Sequence, residues 1–273
     1  MNKQTTTIWQ FARVSPLKQR EGFYCKESMC HPAKMPTNLA QAIILTYTKR
    51  GDLILDPMTG IGTTVIEAIK LGRNAIGIEY EERFRKICNK NLILTREKMG
   101  NDIGKGLFIR GDARKINKAL TNSGNIDSVI FSPPYEQVVC NQTNHSGLSK
   151  KKFGYMVPYS KKPNKKMPAS QINIGMQAGK DYFSEMLKVY QECHRVLKSG
   201  SLMILVVKNF RRKGEEINLM GETIQLCKIA GFKFFQTSVR VLNGASFWQI
   251  THTRNTPRLM LNLTEYILVF KKD

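Results

Sequence analysis

Two short segments carry the residues best suited to chemistry. Asp56-Pro57-Met58-Thr59-Gly60-Ile61-Gly62-Thr63-Thr64 joins an acid to a glycine-rich turn, and Ser132-Pro133-Pro134-Tyr135 begins 76 positions after Asp56. Gly60 and Gly62 suit a turn that brings backbone against a nucleoside ligand. The second segment reads as a rigid polar clamp for a planar amino group. An exocyclic amino nitrogen is a poor nucleophile because its lone pair is delocalised into the ring. Acceptors on both amino protons, here Ser132 Oγ and the Pro133 carbonyl, pull that nitrogen toward a tetrahedral arrangement, and Pro133 and Pro134 hold the acceptors still by fixing φ. Tyr135 offers a face for stacking a base, a contact worth about 1–3 kcal/mol.

Neighbouring motifs narrow the glycine turn. A phosphate-binding loop needs Gly-x-x-x-x-Gly-Lys-Ser/Thr, and a dinucleotide turn needs Gly-x-Gly-x-x-Gly; the lysine and the third glycine are both missing. Glu79 follows 23 positions after Asp56, the usual distance for a carboxylate that accepts from ribose hydroxyls. Asp112, in Gly111-Asp112-Ala113, stands after the next strand and is placed to accept from an adenine amino group.

The elements that must position these residues alternate. Helical spacing of Leu39, Ile43, Ile44 and Tyr47 predicts a helix over 37–47, followed by a buried strand at 53–55. Helices are predicted at 63–71, 82–98, 181–197 and 219–230, with strands at 74–78, 106–110, 126–131, 202–207, 234–242 and 266–270. Such alternation implies an α/β fold with a doubly wound, mostly parallel sheet of seven strands, whose ligands sit at the strands' carboxyl ends. The chain reads as one domain over 1–273, broken in rhythm by residues 137–180, which hold eight lysines and no acid.

Lys plus Arg outnumber Asp plus Glu by 43 to 21, a formal charge of +22, which predicts a polyanionic partner, nucleic acid above all. The six cysteines form no disulfide framework, Cys25, Cys30 and His31 lack the second ligand pair of a zinc site, and no apolar run is long enough for a membrane span. With no signal-peptide stretch at the N-terminus, a cytoplasmic protein with reduced thiols and no membrane partner is expected.

With these motifs the chain resembles the amino-group DNA methyltransferases, which modify N4 of cytosine or N6 of adenine using S-adenosylmethionine. Residues 56–64 match the family's Asp-Pro-Phe-x-Gly-x-Gly-Thr-Thr with Met58 in place of Phe, and residues 132–135 match its catalytic Ser-Pro-Pro-Tyr. His31-Pro32-Ala33-Lys34-Met35-Pro36 resembles the segment over the methionine end of the cofactor. The resemblance spans most of residues 30–270 and leaves the lysine-rich insertion unmatched. It implies a Rossmann-like class I methyltransferase fold with an antiparallel last strand. It also implies S-adenosylmethionine held by Pro32, Lys34, Asp56, Pro57, Thr59, Gly60, Gly62, Thr63, Thr64, Glu79 and Asp112. Catalysis falls to Ser132, Pro133, Pro134 and Tyr135, by direct displacement with no metal.

Ser at the head of the clamp tends to accompany cytosine N4 methylation, whereas Asp or Asn more often accompanies adenine N6 or guanine N2. A C5-cytosine enzyme would need Pro-Cys, and no proline here precedes a cysteine. DNA cytosine N4 is therefore the expected target, with a flipped-out base. RNA cytosine N4, DNA adenine N6 and a non-catalytic nucleic-acid-binding module stay open as alternatives. Residues 137–180 are the candidate target-recognition loop. Within them Lys150, Lys151, Lys152, Lys161, Lys162, Lys165 and Lys166 are expected to meet phosphates, and Phe153, Tyr155 and Tyr159 to stack on bases. Arg211, Arg212, Lys213, Arg254 and Arg258 are further candidate nucleic-acid contacts.

Overall fold

The computed structural model describes residues 7–31, 34–100, 102–116, 124–135, 173–212, 215–242 and 264–273. The sheet is built from β1 (Thr7–Gln10), β2 (Leu53–Asp56), β3 (Asn74–Glu79), β4 (Gly106–Arg110), β5 (Ile126–Phe131), β6 (Leu197–Val207), β9 (Lys233–Val241) and β10 (Thr264–Lys271). A small hairpin, β7 (Phe210–Arg212) with β8 (Glu215–Ile217), stands apart from it. The helices are α1 (Pro16–Arg20), α2 (Thr37–Tyr47), α3 (Thr63–Lys70), α4 (Glu82–Met99), α5 (Gly179–Val196) and α6 (Leu219–Ile229).

Strand order is β1-β9-β10-β6-β5-β2-β3-β4. Every pairing in it is parallel except those of β10, which runs antiparallel to both β6 and β9. The expected seven-stranded sheet with an antiparallel last strand is present, and β1 adds an eighth strand by pairing with Ser238–Val241 at the far edge. Alternate side chains along the strands feed two cores. Ile54, Ala75, Ile130, Ile204 and Ile267 meet Leu39, Ile43, Val65, Ile66 and Leu92 of α2, α3 and α4 on one face. Leu55, Val129, Phe131, Leu205 and Leu268 meet Met186, Val189, Tyr190 and Leu219 of α5 and α6 on the other. Near-continuous apolar strands are what a sheet covered on both faces requires, and each buried large aliphatic side chain contributes about 1.5–3 kcal/mol.

Two constraints position the site. The order reverses between β2 and β5, so the turn after β2 and the segment after β5 emerge side by side at the sheet's carboxyl edge. Beneath the first of these turns the Phe108 ring fills space that side chains would otherwise take. A Cβ at Gly62 would lie 2.6 Å from its Cζ, and one at Gly77 would lie 2.7 Å from its Cδ1. No helix among the described residues is long and apolar enough to cross a membrane. Cys25, Cys88, Cys193 and Cys227 are free thiols.

Gly62 sits at φ 86, where an L-residue is strained, and above an immovable ring. Gly62→Ala is expected to lower unfolding free energy by about 1–3 kcal/mol, read as a fall in the urea midpoint at unchanged slope.

Candidate active site

The carboxyl ends of β2, β3 and β4 each deliver an acid, and the three are held differently. Asp56 is buried and accepts at Oδ1 from the Met58 N–H at 3.0 Å, with Thr64 bonding the same carboxylate. Burial pushes its carboxyl up to about 7, against the pull of those two bonds. Glu79 accepts at Oε2 from the Gly60 N–H and at Oε1 from the Glu81 N–H, both at 2.8 Å. Its carboxyl is pushed up to about 8, chiefly by burial. The Gly60 bond ties the β2 turn to the end of β3.

Asp112 differs from the expectation of a free acceptor. The Arg114 guanidinium grips it in a fork, Nε to Oδ1 at 2.9 Å and Nη2 to Oδ2 at 2.6 Å, while the Arg114 N–H donates to Oδ1 at 3.0 Å. Arg114 in turn reaches Glu185 of α5 at 2.6 Å. Arginine's planar fork matches a carboxylate, so an incoming adenine amino group meets an acid whose lone pairs are already largely engaged.

The turn itself is left-handed at Gly60 (φ 58) and Gly62 (φ 86). The His31 imidazole, edge-on to Phe84 at 4.4 Å between centroids, lies over it, with Nε2 only 3.1 Å from where a Gly60 Cβ would be. Below, the Cys88 thiol donates to the Gly60 carbonyl at 3.2 Å. Lys34 Nζ donates to the carbonyls of Met29 at 3.3 Å and His31 at 2.5 Å, closing the loop that holds His31. Pro57, Thr59, Thr63 and Thr64 are buried; Thr63 bonds the Tyr24 phenol, and the Thr59 hydroxyl finds no partner among the described residues. Pro32 lies outside the described residues.

The clamp follows β5. Ser132 Oγ donates to the Val206 carbonyl of β6 at 2.9 Å, and the Tyr182 phenol, from α5, donates to the Pro134 carbonyl at 2.7 Å. No described residue donates to the Pro133 carbonyl. Tyr135 is partly buried and stacks on Phe210 with centroids 6.0 Å apart, so one face of the ring already has an aromatic partner. Burial, with Glu265 nearby, holds its phenol well above the usual tyrosine value.

Three neighbours of these residues escape sequence reasoning: Arg114, Tyr182 and Lys208. Lys208 stands just past β6, two positions after the carbonyl that receives Ser132. Burial, and then Arg240, pull its ammonium below the usual lysine value, while Glu265 opposes them. Glu265 itself is paired to Arg240 at 2.7 Å. Lys150, Lys151, Lys152, Phe153, Tyr155, Tyr159, Lys161, Lys162, Lys165, Lys166, Lys213, Arg254 and Arg258 lie outside the described residues, and of Arg211 and Arg212 only the backbone, in β7, is described.

The β2 and β3 ends fit the nucleoside half of S-adenosylmethionine. Each Glu79 oxygen takes one backbone N–H and keeps a second acceptor position, a complement to two neighbouring ribose hydroxyls. The bare Gly60 beneath His31 gives a close approach that a Cβ would close.

Glu79 carries a pH signature. Its carboxyl is raised from 4.5 to about 8, so between those values the folded protein holds a proton that the unfolded chain has released. The group's contribution to stability is full below pH 4.5 and is lost as pH rises through about 8. Hydroxyl donors favour the ionised carboxylate. Calorimetry should therefore show S-adenosylhomocysteine affinity rising about tenfold per pH unit below that point, and Glu79→Gln flattening the rise. A slope that survives the substitution intact places the linkage elsewhere.

Comparison with known proteins bears on the first third of the chain and on its fold. The profile of the DNA methylase (N6/N4) family matches residues 1–90, which contain the His31 segment and the glycine turn and stop short of the clamp. A type II methyltransferase of Streptococcus pneumoniae, M2.DpnII, is 50% identical over 90 residues, 33% of this chain and 31% of that protein. The DNA adenine methyltransferase YhdJ of Escherichia coli is 33% identical over 98 residues, 36% of this chain and 31% of that protein. The matched stretch thus spans about a third of the length of these relatives. An S-adenosylmethionine-dependent methyltransferase from Methanosarcina mazei aligns in structure over 84% of this chain and 96% of its own, at TM-score 0.50 and 14% identity, a likeness of fold. The first ninety residues thus resemble the amino-group (N6/N4) DNA methylases, and the chain as a whole has the fold of the S-adenosylmethionine-dependent methyltransferases.

Proposed function

We propose that this protein methylates an exocyclic amino group of a base in DNA, with N4 of cytosine as the favoured target. The observation that carries the reading is the donor–acceptor polarity of the clamp. A hydroxyl has one proton, and Ser132 gives its proton to Val206. What Ser132 Oγ has left is lone pairs. Pro133 and Pro134 have no N–H, and the Pro134 carbonyl is taken by Tyr182. The groups remaining for a ligand are thus acceptors and no donors, and two of them, Ser132 Oγ and the Pro133 carbonyl, complement the two protons of an amine and repel a ring carbonyl.

S-adenosylmethionine supplies a methyl group bonded to a positively charged sulfur. Glu79 and the Gly60–Gly62 turn hold it at the end of β2 and β3, and Asp56 braces the turn from below. Ser132 and Pro133 orient the amine with its lone pair toward the methyl group, so that the rate gain comes from positioning. Tyr135, backed by Phe210, is the wall against which the base ring lies. Lys208, withdrawn from water beside the clamp, is suited to a phosphate of the target strand. Cytosine is favoured by Ser132. The Escherichia coli relative that acts on DNA adenine supports adenine N6 as the second reading.

Mass spectrometry of nucleosides after reaction with mixed DNA and RNA tests both base and sugar: N4-methyldeoxycytidine is expected, N6-methyldeoxyadenosine would establish the second reading, and methyl groups in ribonucleosides alone would end the DNA assignment. Ser132→Ala is expected to lower kcat about 10²-fold at unchanged cofactor affinity. Lys208→Gln is expected to weaken binding equally across DNA sequences and to reduce the slope of log K against log salt by about 0.7–0.9, measured by fluorescence anisotropy.

A further inference from the structure

Tyr182 has so far figured only as the group that occupies the Pro134 carbonyl, yet that bond ends on the clamp itself. The residue is 1% exposed, on the first turns of α5, with its ring edge-on to Phe183 at 5.3 Å. Its O–H donates to the Pro134 carbonyl at 2.7 Å, across 48 positions of sequence. Ser132, two residues earlier, is pinned to β6 by its own hydroxyl. Between the two pins lie the peptide carbonyls of Ser132 and Pro133, neither with a donor among the described residues.

Two successive proline carbonyls offer nearly the same acceptor to a ligand, and proline φ is fixed at both, so the free torsion is ψ. A bond to the second carbonyl sets the peptide plane after Pro134 and thereby limits how the plane before it can turn. A buried phenol loses water on folding and is held by the partner it finds, which makes the pin directional.

We infer that Tyr182 is a positioning residue of the amine clamp: its bond to the Pro134 carbonyl fixes the backbone that turns the Pro133 carbonyl to the substrate amine. The inference rests on the clamp reading above and adds a residue from α5 to it.

Tyr182→Phe removes the hydroxyl and keeps the ring. Tyr190→Phe is its control, since Tyr190 is also 1% exposed on α5 and its hydroxyl bonds Thr223 of α6 and not a clamp carbonyl. Both variants should lower Tm by no more than about 4 °C and leave S-adenosylhomocysteine affinity unchanged. Single-turnover methyl transfer should fall about 10- to 100-fold in Tyr182→Phe and hold in Tyr190→Phe. In a Ser132→Ala background, where the clamp is already broken, Tyr182→Phe should cost little more. Full additivity of the two substitutions, or a parent-like rate in Tyr182→Phe, overturns the inference.

A second measurement needs no activity. Labelling with carbonyl-13C proline and 15N tyrosine leaves NMR signals from Pro134-Tyr135 and Pro158-Tyr159 alone. Tyr182→Phe should move the Pro134 carbonyl signal upfield and Tyr190→Phe should not; an unmoved signal overturns the inference. Absence of methylation by the parent enzyme on every nucleic acid would instead defeat the proposed function, while the carbonyl shift would still decide what Tyr182 holds.

Discussion

A parallel sheet stops its ladder of hydrogen bonds all at one edge, and the polar backbone groups left there must be satisfied by something. Here side chains do it. Asp56 takes the Met58 N–H, Glu79 takes those of Gly60 and Glu81, Ser132 caps the Val206 carbonyl, and Tyr182 caps that of Pro134. Each residue spends part of its hydrogen-bonding capacity closing the edge, and the remainder, of defined sign, faces outward. An unsatisfied buried polar group costs about 1–3 kcal/mol, so the capping fixes rotamers as firmly as packing would. Site and fold termination are one piece of chemistry.

Charge is sorted along the same edge. The chain carries a formal +22, yet the acids that end β2 and β3 are buried, and desolvation lifts both carboxyls. Unpaired anions inside a protein are unfavourable unless hydrogen bonds or an opposite charge meet them. Asp112 shows the alternative solution: Arg114, Glu185 and Lys188 complete a four-member ion network that anchors the β4 loop to α5. The contrast separates an acid that keeps acceptor positions for a ligand from one engaged in holding its loop.

Much of this was legible in sequence where the signal was local. The helix over Thr37–Tyr47 and the strands Gly106–Arg110 and Ile126–Phe131 end where apolar spacing predicts, because their buried residues, Leu39, Ile43, Phe108 and Val129 among them, face the core. The left-handed Gly60 and Gly62 follow from residue type. β1 escaped notice because four mostly exposed residues pair with a strand more than 200 positions away, a contact that no local pattern encodes. β6 begins at Leu197, five residues before its apolar run, through Lys198, Ser199 and Gly200. In the site, residue types revealed the acids and the Ser-Pro-Pro-Tyr segment, but not their partners: Tyr182 and Val206 lie 48 and 74 positions from the atoms they engage. Arg114 was two residues from Asp112 and visible, and its grip on that acid depended on the loop's turn.

The polarity of the clamp also divides the labour of recognition. Two acceptors read two protons on one nitrogen, and an amine on a pyrimidine presents them as an amine on a purine does. Selection of the ring must then come from shape beyond the amine. At that place stand Tyr135 on its Phe210 support and the half-buried Lys208, all at or just beyond the ends of β5 and β6. In the proposed function the clamp selects the functional group, and the walls share with Ser132 the selection of the base. On that reading Ser132 weights the choice toward cytosine, and the walls supply the rest of the discrimination between the two targets.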